Sequence, residues 1–216
     1  MNVVDDFLDK VETYLLSLDG EGVGEVLAGV RHWRRQPSAP VAPRSHPCLA
    51  HLPAALSDLR QTGRVTLADA IEAVAPHLSW VPYDRYPEDE IGPAFAKGHT
   101  YALLIGEGAP VPADDFDFGL FIVAPGLFYR DHHHAAPELY MPLTGPHGWR
   151  FRPGDALDWW PAHRPVWNPS WQPHATKVGH VPLLCLYGWT RDVATSARVI
   201  PASDWPEIEA ASPPAA

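Results

Sequence analysis

Histidines are the residues of this chain whose type and spacing are best suited to chemistry. Three of the twelve are consecutive, namely His132, His133 and His134. Side chains along a strand alternate between its faces, so the outer two share one face and His133, which we assign no role, lies on the other. Glu138 and Tyr140 continue the parity of His132 and His134. Two imidazoles and a carboxylate on one face form a good site for a divalent transition metal with positions left open for substrate.

A turn or bulge must interrupt this stretch at residues 135–137, because Pro137 cannot donate to a strand ladder. A run of three histidines is by itself equally consistent with a solvated loop. The surrounding glycines change that balance, because the segment from Gly126 to Gly145 reads Gly-x5-His-x-His-x3-Glu-x6-Gly. This pattern resembles the first motif of the cupin superfamily in every fixed position. The resemblance implies a small β-barrel that holds a metal ion.

A second cupin motif should add one more histidine after a Pro-Gly turn. Pro153 and Gly154 match the turn, and His174 matches the histidine. The stretch between Gly154 and His174 is longer than in a typical cupin, so His163 stays as the alternative.

A narrower resemblance concerns the same region. Tyr129, the run His134-x3-Glu138-x-Tyr140 and His174 about forty residues later are similar to the cupin-type dimethylsulfoniopropionate (DMSP) lyases. These proteins also have about this length and a helical N-terminal part. The resemblance implies metal ligands at His134, Glu138, Tyr140 and His174. It implies cleavage of DMSP into dimethyl sulfide and acrylate by β-elimination, with the metal holding the substrate carboxylate.

The elimination needs a base, and the resemblance offers Tyr129 and Tyr140. A free tyrosine has a pKa of about 10, which a nearby cation lowers. Tyr140 has the parity of the site. Tyr129 has the opposite parity to His134, so the segment Arg130–Asp131 must bend or bulge for Tyr129 to reach the pocket.

Aromatic faces attract a sulfonium cation, so aromatic residues of the same half are candidates for the pocket. Tyr187 and Trp189 share strand parity and face one side together. We predict that the pocket is lined by four substrate-binding residues or possible ligands, namely His132, Trp149, Tyr187 and Trp189. Tyr83 and Tyr101 are further options. The acidic residues at 114–117 lack the spacing of a calcium loop and are interpreted as a solvated loop.

The elements that must position these residues fall into two halves. Up to about residue 90 the apolar periodicity is helical. From there to residue 205, short candidate strands alternate with Gly and Pro turns, which is typical of a sandwich or small barrel. We predict a mainly β fold, with a jelly-roll-like cupin barrel over residues 91–205. A helical N-terminal layer over residues 1–90 makes the whole α+β, and residues 206–216 are expected to be a frayed tail.

Composition excludes several classes of function. The chain has 216 residues and a net charge of −10, which argues against nucleic acid and anionic membrane surfaces as partners. Its two cysteines cannot form a disulfide scaffold. The N-terminus has no signal-peptide pattern and no apolar run reaches membrane length, so we expect a cytoplasmic protein with a small-molecule substrate. Apolar positions facing out of the barrel, Leu139, Met141 and Leu143, would permit a homodimer.

The donor set does not select the cofactor beyond one divalent transition metal ion, because Fe, Zn, Mn, Co and Ni all suit it. Two alternatives to the lyase therefore stay open. One is another metal-dependent cupin enzyme, such as a dioxygenase or an isomerase. The other is a cupin that only binds a small molecule. Tyr140, two positions after Glu138, favours the lyase.

Overall fold

The computed structural model describes residues 2–214. Its helices are α1 (Val3–Leu15), α2 (Val23–Trp33), α3 (Leu52–Gln61), α4 (Val65–Val74), α5 (Glu88–Ile91), α6 (Pro93–Lys97) and α7 (Trp205–Ala210). Its strands are β1 (His99–Gly106), β2 (Val111–Pro112), β3 (Asp117–Val123), β4 (Phe128–His133), β5 (Glu138–Pro142), β6 (His147–Arg150), β7 (Asp158–Trp160), β8 (Val166–Asn168), β9 (His174–Lys177), β10 (Leu183–Trp189) and β11 (Arg198–Val199). None of these helices is long and apolar enough to cross a bilayer.

Two sheets build the barrel. One has six strands in the order β2-β1-β3-β10-β5-β8, and the other has five in the order β11-β4-β9-β6-β7. The central ladders are antiparallel, as between β3 and β10 and between β10 and β5. The predicted mainly β, cupin-type barrel with a helical N-terminal layer is confirmed.

The six-stranded sheet separates two cores, because its side chains alternate between its faces. Outward side chains such as Leu139, Met141 and Leu143 pack with the helical layer, including Leu8 and Leu15 of α1. These three residues face out of the barrel as predicted, but the helices cover them and each is fully buried. The expectation that they offer a dimer surface is therefore wrong.

The C-terminal segment is ordered where a frayed tail was expected. Helix α7 lies against β4, where Arg130 Nε is 2.8 Å from Glu209 Oε1. The Arg130 guanidinium also lies over the Trp205 ring, 4.7 Å from its centroid. Lys177 Nζ donates to the Glu209 carbonyl at 3.2 Å. The tail prediction is wrong for residues 206–210, because their polar groups have partners on the barrel; residues 215–216 lie outside the described part.

A buried ion pair within the five-stranded sheet binds two residues of the C-terminal segment, Asp204 and Trp205. Arg150 of β6 binds both carboxylate oxygens of Asp131 on β4, and both side chains are fully buried. Arg150 also binds Asp204, and Trp205 Nε1 donates to Asp131 Oδ2 at 2.7 Å. Asp131 is thus held from two directions at the middle of β4.

We expect Asp131→Asn to destabilise the protein by about 3 kcal/mol, because it removes the fully buried one of the two carboxylates that bind the Arg150 guanidinium. Urea unfolding followed by circular dichroism measures this loss. The matched control is Asp155→Asn, since the Asp155 carboxylate is 55 % exposed and 3.9 Å from Arg152. That variant should stay within about 0.5 kcal/mol of the wild type. Equal stability of the two variants would contradict the assignment.

Candidate active site

Three histidines meet inside the barrel. His132 lies near the end of β4, His134 follows that strand, and His174 begins β9. All three are buried, and one ring nitrogen from each lies within 4.8 Å of the others. Of the two candidates for the later histidine, His174 is the one that the structure brings to the group.

Each of these rings is oriented by a backbone carbonyl. The Nδ1 atoms of His132, His134 and His174 lie 2.8, 2.7 and 2.9 Å from the carbonyl oxygens of residues 130, 136 and 172. A carbonyl can only accept, so Nδ1 carries a hydrogen in each ring, and Nε2 is the ring nitrogen that faces the group. This second bond is the one that metal-binding histidines generally make.

The Nε2 atoms are not fully used by the protein. His132 Nε2 is buried and has no hydrogen-bond partner among the described residues. His174 Nε2 lies 3.3 Å from Glu138 Oε2 but lacks hydrogen-bond geometry. Burial, followed by the neighbouring His174 and His134, lowers the pKa of His132 well below its usual range. A neutral imidazole with a free lone pair is the form that binds a metal ion.

Glu138, the first residue of β5, completes the group. Its Oε2 is 3.1 Å from His134 Nε2, and its Oε1 accepts from Trp189 Nε1 at 2.7 Å. Burial alone would raise the pKa of Glu138, but His134 and His174 outweigh it and lower the pKa. The buried carboxylate is therefore ionised. Three imidazoles and a carboxylate fit a borderline divalent transition metal.

A bulge in β4 brings Tyr129 to the same face as this group. Tyr129 pairs with Thr176, whereas His132 pairs with His174, so β4 has one more residue than β9 between these pairs. The bend that strand parity required at residues 130–131 is present. The Tyr129 ring consequently stacks on His132, with centroids 3.9 Å apart and planes at 15°.

The Tyr129 hydroxyl has a phenolic partner. Tyr86 Oη lies 2.9 Å from Tyr129 Oη, and Phe95 stacks on the Tyr129 ring with centroids 4.0 Å apart. Burial raises the pKa of Tyr129 well above 10. Burial also raises the pKa of Tyr140 well above 10, and the charge of Glu138 adds to that rise. A cation beside either phenol would act in the opposite direction.

A pocket opens beside Glu138 and is walled mainly by aromatic side chains. Tyr140 and Tyr187 are cross-strand neighbours on its floor. Its lining comprises Tyr83, Tyr86, Tyr101, Asp117, Phe121, Tyr129, Glu138, Tyr140, Tyr187 and Trp189. The predicted pocket residues Tyr187 and Trp189 belong to this lining, as do the further options Tyr83 and Tyr101.

Other predicted residues lie elsewhere. Trp149 is fully buried behind Tyr140, with ring centroids 5.6 Å apart, and is not among the lining residues. His163, the alternative ligand, faces the helical layer, where its ring nitrogens lie 2.9 Å from Tyr14 Oη and 2.8 Å from Thr62 Oγ1. His133 points away from the site toward Trp171, as strand parity predicts.

The sequence analysis missed three lining residues, namely Tyr86, Asp117 and Phe121. Tyr86 lies in the segment before α5, and no periodicity marks it. Asp117 was assigned to a solvated loop, but it begins β3 and lines the pocket. That assignment is wrong for Asp117, and its shared parity with Phe121 on the same strand was the signal that could have found it.

Comparisons with known proteins agree with this geometry. The DMSP lyase family model matches residues 31–185. DMSP lyase DddQ of Ruegeria pomeroyi is 30 % identical over 160 residues, which are 70 % of this chain and 72 % of the relative. The crystal structure of DddQ from Ruegeria pomeroyi DSS-3 superposes with a TM-score of 0.64 at 25 % identity and covers 82 % of this chain and 94 % of that one. A structure from work on the DMSP lyases RdDddP and RnDddQII gives a TM-score of 0.67 at 21 % identity, with coverage of 92 % and 98 %. The chain belongs to the dimethylsulfoniopropionate lyase family.

Proposed function

We propose that this protein is a carbon–sulfur lyase that cleaves DMSP into dimethyl sulfide and acrylate. The observation that carries the proposal is the pairing of a histidine–carboxylate group with a tyrosine-lined pocket in a chain of this family. The homodimer and the cytoplasmic location expected from the sequence stay predictions.

The reaction is a β-elimination that needs no external reactant. A base takes the proton from the carbon next to the carboxylate. The electron pair of that C–H bond forms the C=C bond of acrylate, and the pair of the C–S bond leaves with neutral dimethyl sulfide. The leaving group needs no acid, so the demands on the protein are a base and stabilisation of charge near the carboxylate.

The donor set fits a divalent transition metal, of unspecified identity, because buried Nε2 atoms of His132 and His174 are not hydrogen-bonded within the described residues. His132, His134, His174 and Glu138 would hold it, with Tyr140 as the further ligand that the family resemblance implies. When bound, the ion supplies Lewis-acid stabilisation of negative charge on a substrate carboxylate.

The remaining work belongs to the chain's own side chains. Tyr129 is our candidate base, because its hydroxyl lies in the pocket wall and is hydrogen-bonded to Tyr86, which can exchange a proton with it. Trp189 fixes Glu138 through its indole N–H. The faces of Tyr187 and Trp189 offer cation–π attraction to the sulfonium, worth about 0.5–2 kcal/mol per contact.

We expect the wild type to bind about one divalent ion per chain and His134→Ala to lose at least about tenfold in metal affinity. The measurement is elemental analysis after dialysis against a buffered metal. His133→Ala is the matched control, since His133 is the adjacent imidazole on the opposite face of β4. Equal metal content in the two variants would contradict the proposed ligand set.

We expect metal-loaded protein to release dimethyl sulfide from DMSP, and Tyr129→Phe to lower kcat by about 100-fold or more without loss of metal. Headspace gas chromatography measures the product. Tyr140→Phe should lower metal affinity if Tyr140 is a ligand. If Tyr140 is instead the base, it will lower kcat with the metal retained.

The control for removing a buried hydroxyl is Tyr14→Phe, because Tyr14 lies in the helical layer against His163. Its kcat should match that of the wild type. Full activity of Tyr129→Phe would reject Tyr129 as the base. Absence of dimethyl sulfide with every metal, despite stoichiometric loading, would reject the lyase.

A further inference from the structure

The register of the six-stranded sheet places two carboxylates at opposite ends of one row of side chains. Glu138 of β5 pairs with Trp189 of β10, and Trp189 pairs with Asp117 of β3. Directly paired residues share a face, so all three point into the pocket that they line. Neighbouring strands are about 4.8 Å apart, which puts the backbones of Asp117 and Glu138 about 10 Å apart.

Asp117 is a carboxylate without a partner. Its side chain forms no salt bridge and no hydrogen bond with any other residue of the described range 2–214. The Asp117 side chain is nevertheless only partly exposed to solvent, and Asp117 is the first residue of β3. Burial, followed by Glu107, raises the pKa of Asp117 to about 6, against the opposing charge of Arg85, which forms no salt bridge with it, so the carboxylate is charged at pH 8. A half-buried, charged and unpaired carboxylate is costly unless a cation joins it.

The surroundings of Asp117 suit an onium ion better than a small metal ion. Tyr101 and Tyr187 are close enough to Asp117 for its charge to raise their pKa values further, after the larger effect of burial. Their rings meet edge to face with centroids 6.2 Å apart, and Trp189 is the next side chain in the row. Aromatic faces beside a carboxylate are the arrangement that recognises alkylated cations.

We infer that Asp117 is the specificity-determining residue that recognises the cationic end of the substrate, an alkylated onium group on a short carboxylate. The inference rests on the proposed function, because that function places the substrate carboxylate beside Glu138 and the histidines. The opposite end of the ligand then extends along the row past Trp189 toward Asp117. A neutral alkyl group of the same shape would leave Asp117 unpaired and is discriminated against.

Two ligands of matched shape test this. The first is 3-(trimethylammonio)propionate, which carries the positive charge, and the second is 4,4-dimethylpentanoate, its neutral carbon isostere. Isothermal titration calorimetry at pH 8 with metal-loaded protein gives both Kd values. Their common carboxylate makes the same interactions, and the change in the ratio of the two Kd values between wild type and variant reports the recognition of the cation, because the difference in hydration of the two ligands cancels.

We expect the wild type to prefer the cationic ligand by about tenfold or more, and Asp117→Asn to lose about tenfold in affinity for it. Affinity for the neutral isostere should change by less than about twofold in the same variant. Asp114→Asn is the matched control, because Asp114 is a nearby exposed acid that does not line the pocket. It removes the same net charge and should behave as the wild type does.

Thermal unfolding and metal content establish that each variant is folded and loaded. Should Asp117→Asn not fold, Asp117→Ser removes the same charge and gives the same test.

A wild-type preference below twofold, or equal losses for both ligands in the Asp117 variant, would overturn the inference. Because the titration needs no turnover, Asp117-dependent preference without dimethyl sulfide release would refute the lyase alone. Release of dimethyl sulfide without that preference would refute only the role of Asp117.

Discussion

The one-residue bulge in β4 is the constraint on which the site depends. Strand alternation alone would send Tyr129 and His132 to opposite faces, and the extra residue turns both into the barrel interior. Asp131 lies within the bulge, and its carboxylate is bound by Arg150 and Trp205. The stability of the barrel and the orientation of the candidate base therefore share one buried carboxylate. The C-terminal segment, which supplies Trp205, is part of the active-site architecture although it lies outside the pocket.

The histidine group carries a local energetic cost that a folded protein without function would have no reason to keep. A buried polar atom without a partner costs about 1–3 kcal/mol, and His132 Nε2 is such an atom among the described residues. The three Nδ1–carbonyl hydrogen bonds hold the rings so that this cost cannot be relieved by rotation. An ion that binds the folded chain and not the unfolded one adds its binding free energy to stability. The fixed donor set therefore lowers the stability of the metal-free protein, and a bound ion restores it.

Sequence reasoning reached what short spacing determines. Parity and the Pro137 break placed His132, His134 and Glu138 together, and the alternation of short strands with Gly and Pro turns predicted the barrel. It also required a bulge at Arg130–Asp131, but only pairing with β9 fixes where the extra residue lies. Short strands such as β8 and β9 could not be delimited from the sequence, because three or four residues between prolines carry too little periodicity. Tyr86 reaches the pocket through tertiary packing, which no local pattern encodes, whereas Asp117 has the strand parity of Phe121.

The same sheet register explains why one pocket can suit a ligand with opposite charges at its two ends. Glu138 lies beside His134 and His174, so that end of the row offers the donor set for a metal ion. Asp117 forms no salt bridge among the described residues, although the charge of Arg85 acts on it from a distance, so its carboxylate is available to a cation in the pocket. The distance between the two ends is set by two strand spacings and not by flexible loops. If Asp117 binds the cationic end as we infer, a ligand longer or shorter by more than a bond or two loses the match at one end of this rigid ladder.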